Sequence, residues 1–278
     1  MSDFIRERVC FYSSVLKDKN SSWSIVRSAI QHGVAGVELM NFSEDFKTPD
    51  MKLAKEIGAY AKSNGLKLPC FSCGVNFMTE QAKNLERIKR YADICSELEI
   101  PYLHHTLILT LKRDALCGSV SSLMDTAVEC ALEINDYAAK IGVSTLVEDQ
   151  GFIVNGVERY GEFRRRTEGK IGVLLDFGNI MFVDEKAEDF YAAYDDVKQI
   201  HVKDYKLSVE PLNAHSYKTA NGSYLSACNF GEGDVNMERL AEMLKEKEYS
   251  GCYSLEFDPF DNDQQVANTL KKIEKVFA

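Results

Sequence analysis

The sequence predicts one α/β domain over residues 1–278, folded as a (β/α)8, or TIM, barrel. Eight short apolar runs are each followed by a stretch of helical length or a longer connection. Strands that alternate with helices form a parallel sheet, and near-continuous apolar strands are those covered on both faces. The chain length also suits one such barrel, which typically runs to about 250 residues. An open doubly wound sheet would usually carry a glycine-rich phosphate turn after an early strand, and neither GxGxxG nor a P-loop pattern occurs.

Val9 to Val15 is the first predicted strand. Trp23 to His32 reads as a helix stopped by Gly33, and Gly36 to Met40 (GVELM) as the second strand. Pro49 to Ser63 is helical and ends at Asn64-Gly65, a C-terminal stop. Leu66 to Val75 is the third strand, Asn84 to Leu98 a helix, and Ile100 to Ile108 the fourth strand. Leu123 to Ile141 repeats apolar residues every three or four positions, which is helical periodicity. Val143 to Glu148 and Ile171 to Asp176 are the fifth and sixth strands, Ala187 to Asp195 a short helix, and Val197 to Lys203 the seventh strand. Met237 to Lys247 is a helix, Gly251 to Phe257 the eighth strand, and Gln264 to Phe277 the closing helix. Between the seventh strand and its helix, Tyr205 to Val235 forms a connection long enough to expect function in it. It is expected to lie over the strand C-termini, where barrel enzymes place their active sites.

The net charge of −10 weighs against a duplex-binding face, which needs basic residues to neutralise phosphates. No run approaches the ~20 apolar residues that cross a bilayer, and the charged start MSDFIRERVC does not resemble a secretory signal. A cytoplasmic protein is expected, with no nucleic-acid or membrane partner. Its eight cysteines then read as buried free thiols. Cys70 and Cys73 form a CxxC, but no second pair or matching histidines complete a zinc site. The run Arg164-Arg165-Arg166, with Glu158 and Glu162 nearby, reads as a solvated helix face.

Four consecutive strands end in residues able to bind a metal. The fifth delivers Glu148 (STLVEDQ), the sixth Asp176 (GVLLDFGN), the seventh His201 (KQIHVKDY) and the eighth Glu256 (GCYSLEFD). Three carboxylates pointed at one spot repel unless a cation neutralises them or some stay protonated. Oxygen-rich sets with one imidazole suit Mn²⁺, taken as the expected cofactor, with Mg²⁺, Co²⁺ or Zn²⁺ as alternatives.

The whole chain resembles the xylose isomerase-like barrels, a superfamily of sugar isomerases, epimerases and related lyases. The resemblance rests on GVAGVELM, VED, LLDFGN, IHVKD, FGEGDVNMERL and SLEFDP, each at its expected strand or helix. It implies Glu148, Asp176, His201 and Glu256 as metal ligands, with Glu148 and Glu256 also acting as the acid/base pair. It further implies a sugar or polyol substrate and, often, a homo-oligomer. Where many members have a histidine three residues after the sixth-strand aspartate, this chain has Asn179, which can hydrogen-bond a substrate hydroxyl. The segment Glu148-Asp149-Gln150-Gly151-Phe152 departs from the asparagine-arginine pattern of ketose 3-epimerases.

Three further residues are candidates for substrate contact. On the fourth strand, alternation sends His104 and His105 to opposite faces, and His105 is taken as the one that reaches substrate. Glu38 either faces the site or pairs with lysines at the barrel mouth. Lys203 shares the face of His201 and either contacts a substrate hydroxyl or bridges one of the carboxylates.

The expected activity is metal-dependent isomerisation or epimerisation of a sugar or sugar-derived keto-polyol. The alternatives are an inosose-type keto-polyol dehydratase, a zinc-dependent apurinic endonuclease-like barrel and a non-catalytic sugar-binding barrel. Five histidines are few for a three-zinc nuclease site.

Overall fold

The computed structural model describes residues 2–12, 21–110, 118–194, 196–257 and 262–278. The element order begins α1 (Asp3–Arg8), β1 (Val9–Tyr12), α2 (Ser22–His32), β2 (Gly36–Met40), α3 (Met51–Ser63), β3 (Cys70–Cys73), α4 (Gln81–Glu97) and β4 (Tyr102–His105). It continues with α5 (Val120–Lys140), β5 (Ser144–Glu148), α6 (Gly151–Val154), α7 (Val157–Arg166), β6 (Gly172–Asp176), a 3₁₀ turn (Asn179–Val183), α8 (Ala187–Ala193) and β7 (Val197–Val202). Then come β8 (Tyr205–Ser208), β9 (Ser216–Lys218), β10 (Tyr224–Ala227), α9 (Met237–Glu246), β11 (Tyr253–Leu255) and α10 (Asp263–Phe277).

Eight strands close in the order β1-β11-β7-β6-β5-β4-β3-β2, and every pairing in that barrel is parallel. Helices start and stop where the sequence has capping residues. The Ser21 hydroxyl accepts the Ser24 N–H at α2, and the Asp50 carboxylate accepts the Leu53 N–H at α3. Gly33 closes α2 in the left-handed conformation, φ 59°. The α9 helix buries Met237, Leu240, Met243 and Leu244, one stripe at helical spacing. Gly36 is needed where β2 passes Lys67, because a Cβ there would sit 2.1 Å from the Lys67 carbonyl oxygen.

The expected strands are longer than the observed ladders. Leu66–Val75 forms a strand over Cys70–Cys73, with one separate bridge from Lys67 to Gly36, and Ile100–Ile108 forms one over Tyr102–His105. The apolar runs continue past the ladder because the chain is still buried there: Val75, Leu107 and Ile108 all lie in the core. Positions 13–15 of the first predicted strand, and Asp195 at the end of the predicted α8, lie outside the described residues. The α1 helix was not anticipated. The connection from Tyr205 to Val235 is no simple loop: β8, β10 and β9 form an antiparallel sheet within it.

Two layers fill the barrel. Near its N-terminal end Cys70, Leu146 and Leu174 pack with Tyr102. Above them the interior is polar: Glu38, Ser72, His104, Gln199, His201 and Ser254 are all buried. Cys70 joins that lower layer whereas Cys73 joins the outer core under the helices, so the CxxC cannot act as one chelate. The described cysteines are free. Among the described residues no helix is long and apolar enough to cross a membrane. The arginine run ends α7, where Arg164 pairs with Asp196 and Arg166 with Asp125 and Glu162.

Candidate metal centre

The four expected ligands meet at the C-terminal ends of β5, β6, β7 and β11. Strand register sets their level. Asp176 pairs with His201 across β6 and β7, and His201 pairs with Ser254, placing Glu256 one residue beyond the end of β11. One ligand atom each from Glu148, Asp176 and His201 lies within 4.8 Å of the others. From His201 Nδ1 the distances are 3.0 Å to Glu256 Oε2, 3.6 Å to Glu148 Oε2 and 3.9 Å to Asp176 Oδ2. Glu148, Asp176 and His201 are buried, while the Glu256 side chain stands at the rim, 22% exposed.

Local structure fixes each group. Asp176 Oδ1 accepts the N–H groups of Gly178 (2.7 Å) and Asn179 (2.9 Å), so the motif LLDFGN caps its own 3₁₀ turn. That leaves Asp176 Oδ2, buried without a hydrogen bond, facing the cluster; His201 Nδ1 is likewise without one. Each instead meets a charge, Lys203 Nζ 3.2 Å from Oδ2 and Glu256 Oε2 3.0 Å from Nδ1, and the two atoms aim at one point, as a ligand there would require. Three carboxylates and an imidazole are a donor set for a divalent cation.

The charges are closely coupled. Burial pushes the Glu148 carboxyl up to about 7, against the pull of His201. Burial likewise raises Asp176, against the attraction of Lys203. Glu256 also meets a burial penalty, but the charges of Lys203 and His201 outweigh it and hold its carboxyl well below the usual range. Burial disfavours a charged His201, yet Glu38, Glu148 and Glu256 around it raise it well above an ordinary histidine. The Lys203 ammonium lies 3.2 Å from Asp176 Oδ2 and 2.6 Å from Glu256 Oε1, so of its two expected roles the structure shows the bridge.

A cleft of about 480 Å³ opens over Glu256, lined by Gln150, Asn155, Asn179 and Lys203 and walled by Phe182, Tyr205 and Tyr217. That volume falls within the range of small-molecule sites. Asn179 Nδ2 donates to Glu148 Oε2 across 3.2 Å. The antiparallel insert thus forms one wall of the cleft, as a connection over the strand ends was expected to do.

Two expectations are corrected. His105 is fully buried, its Nδ1 3.2 Å from the Thr106 carbonyl and its ring against Phe77, so it does not line the cleft. His104 is the inward histidine, with Nε2 3.5 Å from Glu148 Oε1. The physical reason is strand parity. Leu103 packs in the outer core with the helices, and His105, two residues on, shares its face. Glu38 is fully buried beneath His201, with Oε1 2.9 Å from Nε2, and does not line the cleft. Asp149, which the sequence pattern does not single out, is buried and accepts the Asp176 N–H, so the ED pair of VEDQ joins β5 to β6.

Fold and site together define a TIM-barrel protein with a candidate cation site at the strand C-termini. The chain belongs to the xylose isomerase-like TIM barrel family, which matches residues 26–276. Solved structures share this fold at low identity. D-allulose 3-epimerase from Methylomonas sp. superposes with a TM-score of 0.73 at 17% identity, covering 99% of each chain. The probable 3-DHS dehydratase AsbF from Bacillus anthracis gives 0.75 at 15%, covering 96% of this chain and 98% of its own. A xylose isomerase-like TIM barrel protein from Mycobacterium smegmatis, in complex with magnesium, gives 0.72 at 16%, covering 100% and 98%. A search of curated protein sequences returns no match.

Proposed function

We propose that the protein is a divalent-metal-dependent isomerase or epimerase acting on a sugar or sugar-derived keto-polyol. The observation that carries this reading is the approach of Glu148 and Glu256 to one point, the Nδ1 of His201, from strands separated by β6 and β7. Glu148, Asp176, His201 and Glu256 would hold the cation, with Mn²⁺ the favoured ion. When bound, a divalent cation supplies Lewis-acid polarisation of a carbonyl and its neighbouring hydroxyl, making the C–H between them acidic.

The protein's own residues do the rest. Glu148, buried at the floor of the site, takes the α-proton in its ionised form, and Glu256 delivers or receives one from its own side of the cleft. Asn179 orients the Glu148 carboxylate, and Lys203 holds Glu256 in place. The polar side chains of Gln150 and Asn155 meet hydroxyls, and the aromatic wall covers the apolar face of the sugar. One glutamate acting on one face moves a carbonyl along the chain, and two acting from opposite faces invert a centre. Two solved structures of this fold, a D-allulose 3-epimerase and a probable 3-DHS dehydratase, support an epimerase reading with a lyase as its alternative.

The test is to load the purified chain with Mn²⁺, remove the excess, and count bound metal for wild type and Glu256→Gln. About one tightly held ion, weakened in the variant, supports the site. Turnover of a ketose and keto-polyol panel in D₂O then separates the reactions. Deuterium at the α-carbon of an isomerised or epimerised sugar supports the proposal, whereas an unsaturated product means a dehydratase. No bound metal in the wild type overturns it.

A further inference from the structure

We propose that Glu38 is a positioning residue that fixes the direction of a buried hydrogen-bond chain, so that His201 offers a lone pair on Nδ1 to the acidic cluster and His104 offers one on Nε2 to Glu148. The first half of this rests on the reading of the cluster as a cation site; the second does not.

The argument is one of donors and acceptors. An ionised carboxylate only accepts. Glu38 is fully buried inside the barrel and takes the hydroxyls of Ser72 and Ser254 (2.5 Å for the latter), the Gln199 amide N–H (2.9 Å) and the ring N–H at His201 Nε2 (2.9 Å). A serine hydroxyl has one proton. Because that of Ser72 goes to Glu38, Ser72 Oγ acts only as acceptor toward His104 Nδ1, 2.8 Å away. Neutral His104 therefore carries its proton on Nδ1 and leaves Nε2 bare. That nitrogen is buried without a hydrogen-bond partner, 3.5 Å from Glu148 Oε1. Ser254 repeats the logic, donating to Glu38 and accepting from Gln199 across 2.7 Å.

The same carboxylate settles the other histidine. When a cation takes the place of the second proton that the three glutamates favour on His201, the proton directed at Glu38 stays and the free electron pair is on Nδ1, the atom that faces Glu148, Asp176 and Glu256. Carboxylates that hold the remote N–H of a metal-binding imidazole fix its tautomer and raise its basicity. One buried glutamate thus serves both ends of the site. It prepares His201 to bind a cation, and through Ser72 and His104 it gives the proton taken up by Glu148 an acceptor. In the transfer the C–H electron pair stays on the substrate carbon, the proton moves to Glu148, and the O–H so formed points at His104 Nε2.

Two-bond ¹H–¹⁵N imidazole spectra test this, since five histidines make the spectrum assignable. Zn²⁺ is the probe because it is diamagnetic. In wild type, His104 is expected as the Nδ1–H tautomer with or without Zn²⁺, and zinc-loaded His201 as the Nε2–H tautomer. Glu38→Gln places an amide donor among donors. It is expected to mix the His104 tautomers and weaken Zn²⁺ binding, measured by chelator competition, about 10- to 100-fold, with Glu38→Asp partly restoring both. Unchanged tautomers and affinity in Glu38→Gln, alongside tight Zn²⁺ binding by wild type, overturn the inference. Wild type that binds no Zn²⁺ overturns the cation reading instead, and the His104 tautomer still tests the rest. Should Glu38→Gln fail to fold, Ser72→Ala cuts only the link to His104. The inference then requires mixed His104 tautomers with Zn²⁺ affinity within about threefold of wild type, and an unchanged His104 overturns it.

Discussion

Lys203 clamps Glu256: its Nζ lies 2.6 Å from Oε1, and the same ammonium reaches Asp176 Oδ2 at 3.2 Å. The lysine side chain is only 12% exposed, so these are largely desolvated pairs. The ammonium holds the carboxylates apart in charge, yet it occupies the electrostatic niche that a cation would use. In Lys203→Met the metal-free protein loses a buried partner, a change that typically costs about 3–5 kcal/mol. Added Mn²⁺ should recover more of the lost melting temperature than it adds to wild type, because a ligand that binds only the folded state stabilises it by mass action. A thermal melt with and without Mn²⁺ checks this, and an equal Mn²⁺ response in both proteins would contradict it.

Glu148 illustrates the cost of building such a site. It is buried beside Asp176 and Glu256, and burial lifts its carboxyl to about 7. Burial therefore makes its charged form costly to the fold. Glu148→Gln removes the charge, keeps the shape and keeps the contact with Asn179. Turnover should fall by about 10²–10⁴-fold, the usual worth of a general base, while the metal-free melting temperature stays level or rises. A large drop in melting temperature would assign Glu148 a structural role instead.

Much of this was legible in the sequence. Strand ends VED, LLD, IHV and SLE carry their ligands immediately after apolar runs, and a parallel barrel brings such positions to one rim. The depth of each residue along its strand was legible, but its face was not. In HH of β4 both histidines alternate correctly, and only the packing of Leu103 under the helices decides which one turns inward. Glu38 shows a related limit. Its strand position allows it to face the site or to pair with lysines at the barrel mouth, and it does neither at the rim: it stops inside the barrel beneath His201. Here Ser72, Gln199 and Ser254 come from three other strands to receive it, and no local pattern announces that meeting. The insert was legible by length alone, since its strands are short and pair only with one another.

His105 predicts an acid limb of stability away from the site chemistry. Burial lowers its imidazole to about 4, with the Thr106 carbonyl only partly opposing the shift. Its ordinary value is about 6.5. The folded state thus binds fewer protons than the unfolded one, so the contribution is complete above the unfolded value and is lost as pH falls from about 6.5 toward 4. At about 1.4 kcal/mol per unit the loss reaches roughly 3 kcal/mol near pH 4. Urea titrations at pH 7, 5.5 and 4.5 should show a shallower decline for His105→Gln than for wild type. Parallel declines would show that His105 binds protons equally in the folded and unfolded states.

The wall of the cleft depends on how the insert is tied back, and Gly233 tests that tie. Asp204, just past β7, accepts the N–H groups of Gly231 (2.9 Å), Gly233 (3.0 Å) and Val235 (3.4 Å). A Cβ on Gly233 would lie 2.0 Å from Asp204 Oδ1 and 2.6 Å from the Tyr205 carbonyl oxygen. The carboxylate can turn away, but the backbone oxygen cannot move without β8 moving with it. Gly233→Ala should therefore cost about 2 kcal/mol, within the range for strained or broken networks, and lower the melting temperature by about 5 °C in a chain of this size. Because β8 and β9 carry Tyr205 and Tyr217 into the cleft, KM should rise several-fold while kcat changes less. Gly231→Ala is the control: its φ of 76° strains any side chain, but a Cβ there meets nothing within 4 Å. If both variants raise KM equally, the conformation of the tie matters and its close packing does not. If only Gly233→Ala does, the contact between Asp204 and the returning backbone holds the wall in place.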